Sequence, residues 1–166
     1  MKDKIEEGFG NIIGLPLTKT TRSELTQFFH FGKTHYTTPQ GLVLDVGAYT
    51  LAVNCPWQLL QPLGETIKHD EVFIRKQETG LPSTKFDWKE PGANLRDQRL
   101  KELISRNTLL AESIALQEKE GFIFHFANGA QLSVKPDSAK PTDTYWQLFS
   151  NQGDGFKLEA TTAGVH

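Results

Sequence analysis

One internal likeness constrains this chain more than any other feature. Residues Gly41 to Val53, reading Gly-Leu-Val-Leu-Asp-Val-Gly-Ala-Tyr-Thr-Leu-Ala-Val, lie over Gly121 to Val134, Gly-Phe-Ile-Phe-His-Phe-Ala-Asn-Gly-Ala-Gln-Leu-Ser-Val, with one extra residue at the turn. The same tripeptide follows each run, as Trp57-Gln58-Leu59 and as Trp146-Gln147-Leu148. Leu42, Leu44 and Val46 match Phe122, Phe124 and Phe126, a period of two that places three apolar side chains on one face of a strand. Each run therefore reads as a hairpin, and Asn128-Gly129 offers the positive φ angles of a tight primed turn. A further strand is expected before each hairpin, over Phe28 to Tyr36 and around Leu110, Ile114 and Leu116. The predicted fold is α+β, mainly antiparallel sheet built from two related three-stranded meanders, about residues 24–60 and 109–149, with one well-defined helix between them.

That helix is expected over about residues 94–106. Pro91-Gly92 punctuate the chain, Asn94 can cap, and Asp97 meets the free N–H groups of the first turn. Leu100, Leu103 and Ile104 then follow helical spacing, leaving Arg96, Arg99, Lys101 and Glu102 for water, and Asn107 suits a left-handed stop. Val72, Phe73 and Ile74 read as a short strand, and Ser23 to Phe28 as a brief helical turn. Isolated hairpins are marginal and no long linker intervenes, so the 166 residues are expected to share one core as a single domain.

Chemistry is sparse. His30, His35, His69, His125 and His166 include no HExxH pair, and His30 and His35, an odd number of residues apart on one predicted strand, point to opposite faces, so no metal site is expected. His125 falls opposite the phenylalanine face, as a surface or half-buried strand residue. Gly8, Gly10 and Gly14 lack the strand and helix that a phosphate-binding loop requires. There is no GxSxG motif, and Cys55 before Pro56-Trp57 reads as a packed thiol. Carboxylates such as Asp70, Glu71, Asp87, Glu90 and Asp97 fit solvated positions better than general acid/base roles. No catalytic residue and no cofactor is therefore assigned. Net charge is −2 and the pI about 6.2, without the basic footprint of a nucleic-acid binder. Mixed charge over Lys2, Asp3, Lys4, Glu6 and Glu7 does not suit a signal peptide, nothing is apolar enough to span a membrane, and a cytoplasmic protein is expected. Acidity is concentrated after residue 109, where seven carboxylates face four lysines, a balance that steers a basic partner.

Four segments also carry a family likeness: Phe86-Asp87-Trp88, then Gly92-x-Asn94-x-x-Asp97, then Leu132-x-Val134-x-Pro136-Asp137, then Tyr145-Trp146-x-Leu148-Phe149. Over residues 86–150, and more faintly over 24–60, the chain resembles small bacterial immunity proteins that accompany contact-dependent growth-inhibition or polymorphic toxins. The resemblance implies a non-catalytic protein that binds and neutralises a cognate toxin domain, a nuclease being one candidate, without itself touching nucleic acid or membrane. Glu118 and Glu120 in the turn before Gly121, with Asp137 after the second hairpin, are the expected rim contacts, and Trp88 the candidate anchor. Two other classes compete: a small hydrolase with an acid and a histidine brought together from distant positions, and an assembly subunit pairing through an exposed strand edge. Oligomeric state is not assigned.

Overall fold

Alternating phenylalanines build the centre of the protein: Phe29 and Phe31 on one strand and Phe122, Phe124 and Phe126 on another are exposed by 1% or less. The computed structural model describes residues 2–80, 85–137 and 144–166. Its strands are β1 (Leu17–Ser23), β2 (Thr26–Phe31), β3 (Thr34–Thr37), β4 (Val43–Val46), β5 (Tyr49–Val53), β6 (Trp57–Leu60), β7 (Ile67–Lys68), β8 (Ala111–Leu116), β9 (Phe122–Phe126), β10 (Gln131–Val134), β11 (Trp146–Ser150), β12 (Lys157–Thr161) and β13 (Gly164–Val165). Helix α1 (Lys2–Gly10) opens the chain, a 3-10 helix (His69–Phe73) follows β7, and α2 (Leu95–Arg106) precedes β8. The protein is α+β with mostly antiparallel sheet: six strands in the order β1-β2-β5-β11-β12-β13, five in the order β7-β6-β10-β9-β8, and a separate β3-β4 pair. The two large sheets meet face to face, with Phe29 edge-on to Trp57 at 5.3 Å and Phe31 against Phe124 at 5.8 Å.

Both sheets follow one register. Leu17 pairs with Phe31 and, past a bulge, Lys19 with His30; Ala111 pairs with Phe126 and, past a bulge at the same place, Ser113 with His125. Phe29 faces Leu51 as Phe124 faces Leu132. Leu51 and Val53 then pair with Leu148 and Trp146, whereas Leu132 and Val134 pair with Leu59 and Trp57. The first half thus lends β6, with β7 beyond it, to the second half's sheet, and the second half lends β11, with β12 and β13 beyond it, in return. Main-chain bonds from Leu17 N–H to Leu109 O and from Ala111 N–H to Leu15 O join the halves where the two β1-like strands begin.

The predicted second meander forms as β8-β9-β10. The predicted first one does not. Strand β4 turns back on β3, and β5 pairs with β2 and β11 instead. Leu42 and Leu44, expected on a buried face, are 63% and 45% exposed. By register Ile123-Phe124-His125-Phe126 matches Phe28-Phe29-His30-Phe31, and the β3-β4 hairpin lies between β2 and β5. Alternation identifies a strand and its two faces but leaves its partner open, which is why residues 41–46 passed for the equivalent of 121–126. The expected strand Phe28 to Tyr36 breaks at Gly32, whose φ of 70° ends β2. At Asn128-Gly129 only the glycine is left-handed, at φ 93°, so the link is an ordinary turn with a bulge; the primed geometry sits at Lys119 and Glu120, φ 55° and 63°. Ser23 to Phe28 forms the β1-β2 hairpin rather than a helical turn, and Val72 and Phe73 belong to the 3-10 helix rather than to a strand.

The helices close the open sides of this pair of sheets. In α2 the Asn94 side chain accepts the Asp97 N–H at 2.8 Å, as expected of a cap, while Leu100 and Leu103 are buried. Arg96 and Arg99 depart from expectation: Arg96 is 1% exposed, and Arg99 pairs with Glu71 and Glu65. Asn107 caps the helix in an extended conformation, φ −134°, rather than a left-handed one. Helix α1 has no counterpart in the sequence reading; Gly8 and Gly10 lower its helix propensity, yet Ile5, Phe9 and Ile12 recur at helical spacing and are buried. Phe9 lies 5.0 Å from Phe122 and 5.5 Å from Trp146. At Gly8 a Cβ atom would come within 2.8 Å of Leu158 Cδ2, so glycine permits α1 to settle against β12. Helix α2 touches β1 and β7, an edge strand of each sheet, while α1 touches the edge strand β8 and the inner strand β12.

Candidate partner-binding surfaces

Three of the four residues picked from sequence share one end of the five-stranded sheet. Glu118 and Glu120 stand on the β8-β9 turn, closed by the Gly121 N–H donating to Glu118 O at 3.1 Å. The Trp146 indole Nε1 donates to Glu120 O at 2.8 Å and holds the turn from the core side. Gly121 abuts the end of β10 so closely that a Cβ there would lie 2.9 Å from Val134 O and 3.4 Å from Pro136 Cδ. The turn therefore stands beside the segment carrying Asp137. Glu118 is exposed, Glu120 and Asp137 are half-buried, and the exposed Lys119 and Lys135 dilute the acidity of this end.

Trp88 belongs elsewhere. Its half-buried ring meets Phe73 edge-on at 5.3 Å and lies 6.0 Å from the Arg22 guanidinium. Its carbonyl accepts from Arg22 Nη2 at 2.7 Å and from Asn94 Nδ2 at 3.1 Å. Arg22 Nε in turn donates to both carboxylate oxygens of Asp97 at 2.9 Å, with the two side chains only 6% and 15% exposed. This node fastens the loop before α2 to β1, and Trp88 is part of the fastening. Beside it a groove of about 590 Å³ runs between β1 and α2, lined by Thr20, Arg22, Lys89, Asp97, Lys101 and Ile104.

Arg96 is buried, and no carboxylate among the described residues forms an ion pair with it. Its Nη1 donates to His69 O at 2.9 Å, its guanidinium lies 5.5 Å from the Trp57 ring, and burial pulls its pKa down to about 10. The same cause pushes the buried Cys55 thiol up to about 12, as expected of a packed cysteine. His35 pairs with Asp45 at 2.8 Å on the exposed hairpin, and His69 Nδ1 lies 3.2 Å from Trp57 O. Among the described residues, no three of His, Cys, Asp or Glu gather closely enough to hold a metal ion.

Sequence reasoning missed two features: the apolar tip of the β3-β4 hairpin, and His30, whose two ring nitrogens both meet threonine hydroxyls. The x-Phe-His-Phe pattern of residues 28–31 and 123–126 was the available signal, since those two strands hold matching registers and residues 32–48 stand between β2 and β5. By topology the chain is a two-sheet antiparallel α+β protein with exchanged strands and no membrane-spanning helix among its described residues. Comparison with known protein families, with characterised proteins and with solved structures finds no match.

Proposed function

We propose that this protein is a non-catalytic immunity protein that binds and neutralises a cognate toxin domain inside the producing cell. The observation that carries the reading is the β8-β9 turn. Its left-handed residues and the Trp146 indole bond fix Glu118 and Glu120 beside the Asp137 segment, a preorganised acidic rim for a basic partner. Nucleases are basic where they hold phosphates, and a fixed acidic rim raises the rate at which such a domain is captured. Trp88 is retained as a contact only where the partner reaches the groove between β1 and α2. The test uses the variable C-terminal domain of the toxin encoded beside this gene. Glu118→Lys, Glu120→Lys and Asp137→Lys together slow association and flatten its salt dependence, with the far-ultraviolet dichroism unchanged. Unaltered rates and salt slopes place docking elsewhere, and a gene neighbourhood without a toxin removes the reading.

One observation favours the assembly-subunit alternative: Leu42 and Val43, 63% and 64% exposed, sit on a two-stranded hairpin whose β4 pairs only with β3 among the described strands. Sedimentation of the native protein and of Val43→Lys separates the two readings, because only the assembly subunit loses mass on substitution. We also read the two halves as copies of one unit, β1-β2-β5-β6 and β8-β9-β10-β11; their matched registers, bulges and tryptophans support this.

A further inference from the structure

The two halves provide an internal comparison. His30 and His125 occupy the same register position on the outer faces of their sheets. In the second half β9 and β10 are joined by the short turn at 127–130, with no hairpin between them. In the first half residues 32–48 arch across the outer face, and β3 and β4 turn Tyr36 and Val46 toward His30. The return passes so close that a Cβ on Gly47 would lie 2.8 Å from His30 Cβ. Between hairpin and sheet lies a groove of about 650 Å³, walled by Phe28, Tyr36, Val46 and Phe149, a size suited to a small organic molecule.

The groove's polar floor is a chain of hydrogen bonds with one proton to spare. Asn151 Nδ2 donates to Gly47 O at 3.0 Å and to Thr50 Oγ1 at 2.9 Å. Thr50 Oγ1 lies 3.1 Å from His30 Nδ1, and Thr21 Oγ1 lies 2.7 Å from His30 Nε2. A neutral imidazole has one N–H and one lone pair. If Nε2 carries the proton, Thr50 donates to Nδ1, and the Thr21 hydroxyl proton has no acceptor in the network. If Nδ1 carries it, Thr21 donates to Nε2, and the Thr50 proton is the one left over. Either way a hydroxyl donor on the groove wall awaits an acceptor, and Thr50 itself is only 2% exposed. An adjoining cavity of about 270 Å³ shares Thr21, His30 and Val46 and is flanked by Lys19 and Lys33. Neither lysine makes an ion pair among the described residues, and the one carboxylate there, Asp45, is engaged by His35.

We propose that this double groove binds a small amphipathic carboxylate, its apolar body under the hairpin against Phe28, Tyr36 and Phe149, its carboxylate toward Lys19 and Lys33. The spare threonine hydroxyl bonds an acceptor on the ligand, and the neutral histidine sets the orientation of that donor without adding charge. His125, on the half whose β9 and β10 are joined by the short turn at 127–130, serves as the internal control and binds nothing. The site is remote in sequence from the acidic turn, so it stands or falls independently of toxin binding.

The experiment follows the imidazole signals of His30 and His125 by nuclear magnetic resonance while titrating benzoate, phenylacetate, indole-3-acetate and octanoate, each alongside its neutral amide. At least one acid shifts His30 and leaves His125 still, with a Kd below about 1 mM, and its amide binds at least about tenfold more weakly. Lys19→Gln with Lys33→Gln, both on exposed side chains, reproduces the amide's loss while the protein stays folded by circular dichroism. Thr50→Val weakens acid and amide alike. No shift with any of the acids, equal shifts of His30 and His125, or equal affinity for acid and amide overturns the proposal.

Discussion

Truncating Trp146 tests the core and the acidic turn at once. The side chain is fully buried, sits edge-on to Phe9 and Phe122 at 5.5 and 5.3 Å, and donates its indole proton to Glu120 O. Replacing it by alanine removes a large ring from a close-packed interior and leaves a cavity that the two phenylalanines only partly fill, a loss of about 3–5 kcal/mol. Trp146→Phe keeps most of the packing but deletes the indole bond. The freed Glu120 carbonyl is at a half-buried turn that water can approach, so the cost is near the net value of one hydrogen bond with modest underpacking, about 1–2 kcal/mol. Urea unfolding followed by circular dichroism measures both, with an unchanged slope confirming that the same surface is exposed in each variant. Hydrogen exchange supplies the second readout: in Trp146→Phe the Gly121 amide, bonded to Glu118 O, exchanges faster than in the native protein, while amides in β9 do not. A loss below about 1 kcal/mol for alanine refutes the placement of the ring in the shared core. Unchanged Gly121 exchange in the phenylalanine variant refutes the claim that the indole holds the turn.

Three further outcomes follow. Arg22→Ala leaves the largely buried Asp97 carboxylate without its partner and releases the Trp88 carbonyl, at a cost of about 3–5 kcal/mol by denaturant unfolding; a cost under about 1 kcal/mol shows the node to be solvated. Burial, assisted by Lys19, holds His30 below the ordinary histidine value, so the folded state binds fewer protons than the unfolded chain, and stability present above about pH 6.5 is lost as pH falls toward the folded pKa. Native protein should lose more stability than His30→Gln between about pH 7 and pH 5, and parallel pH profiles contradict this. Cys55, buried with its thiol near 12, should not react with an aromatic disulfide reagent at mildly alkaline pH until the protein is unfolded, and rapid native-state labelling contradicts its packing.

What could be read from sequence divides by range. Signals confined to a few neighbouring residues were legible: the Asn94 cap, the Leu100 and Leu103 face, and the second meander through Phe122, Phe124 and Phe126. Pairing between distant strands was not, because Leu42 and Leu44 alternate as well as Phe29 and Phe31 do, and only the tertiary register decides which set faces the core. Arg96 was assigned to water on residue type, yet its position on the face of α2 toward Trp57 overrides that preference. Glu118 and Glu120 were chosen on charge and on their place in the turn before Gly121. Trp88 was singled out by its polar neighbours, and two of the polar groups around it, Arg22 and Asn94, proved to be what ties it down.

The exchange of β6 and β11 between sheets has a consequence for how this chain can be divided. Each sheet is completed by strands that the other half of the sequence encodes, β6 and β7 in one and β11 to β13 in the other, so neither half alone presents a full set of neighbours for its central strand, β5 or β10. Two polypeptides cut between the 3-10 helix and α2 should each be poorly structured alone and should assemble when mixed, each threading its tryptophan strand into the other's sheet. Inside one chain this reciprocal lending works as a lock. Withdrawing β6 to open one sheet pulls on Trp57 and on the connection to β5, which lies in the other, so the sheets are expected to unfold together rather than one before the other.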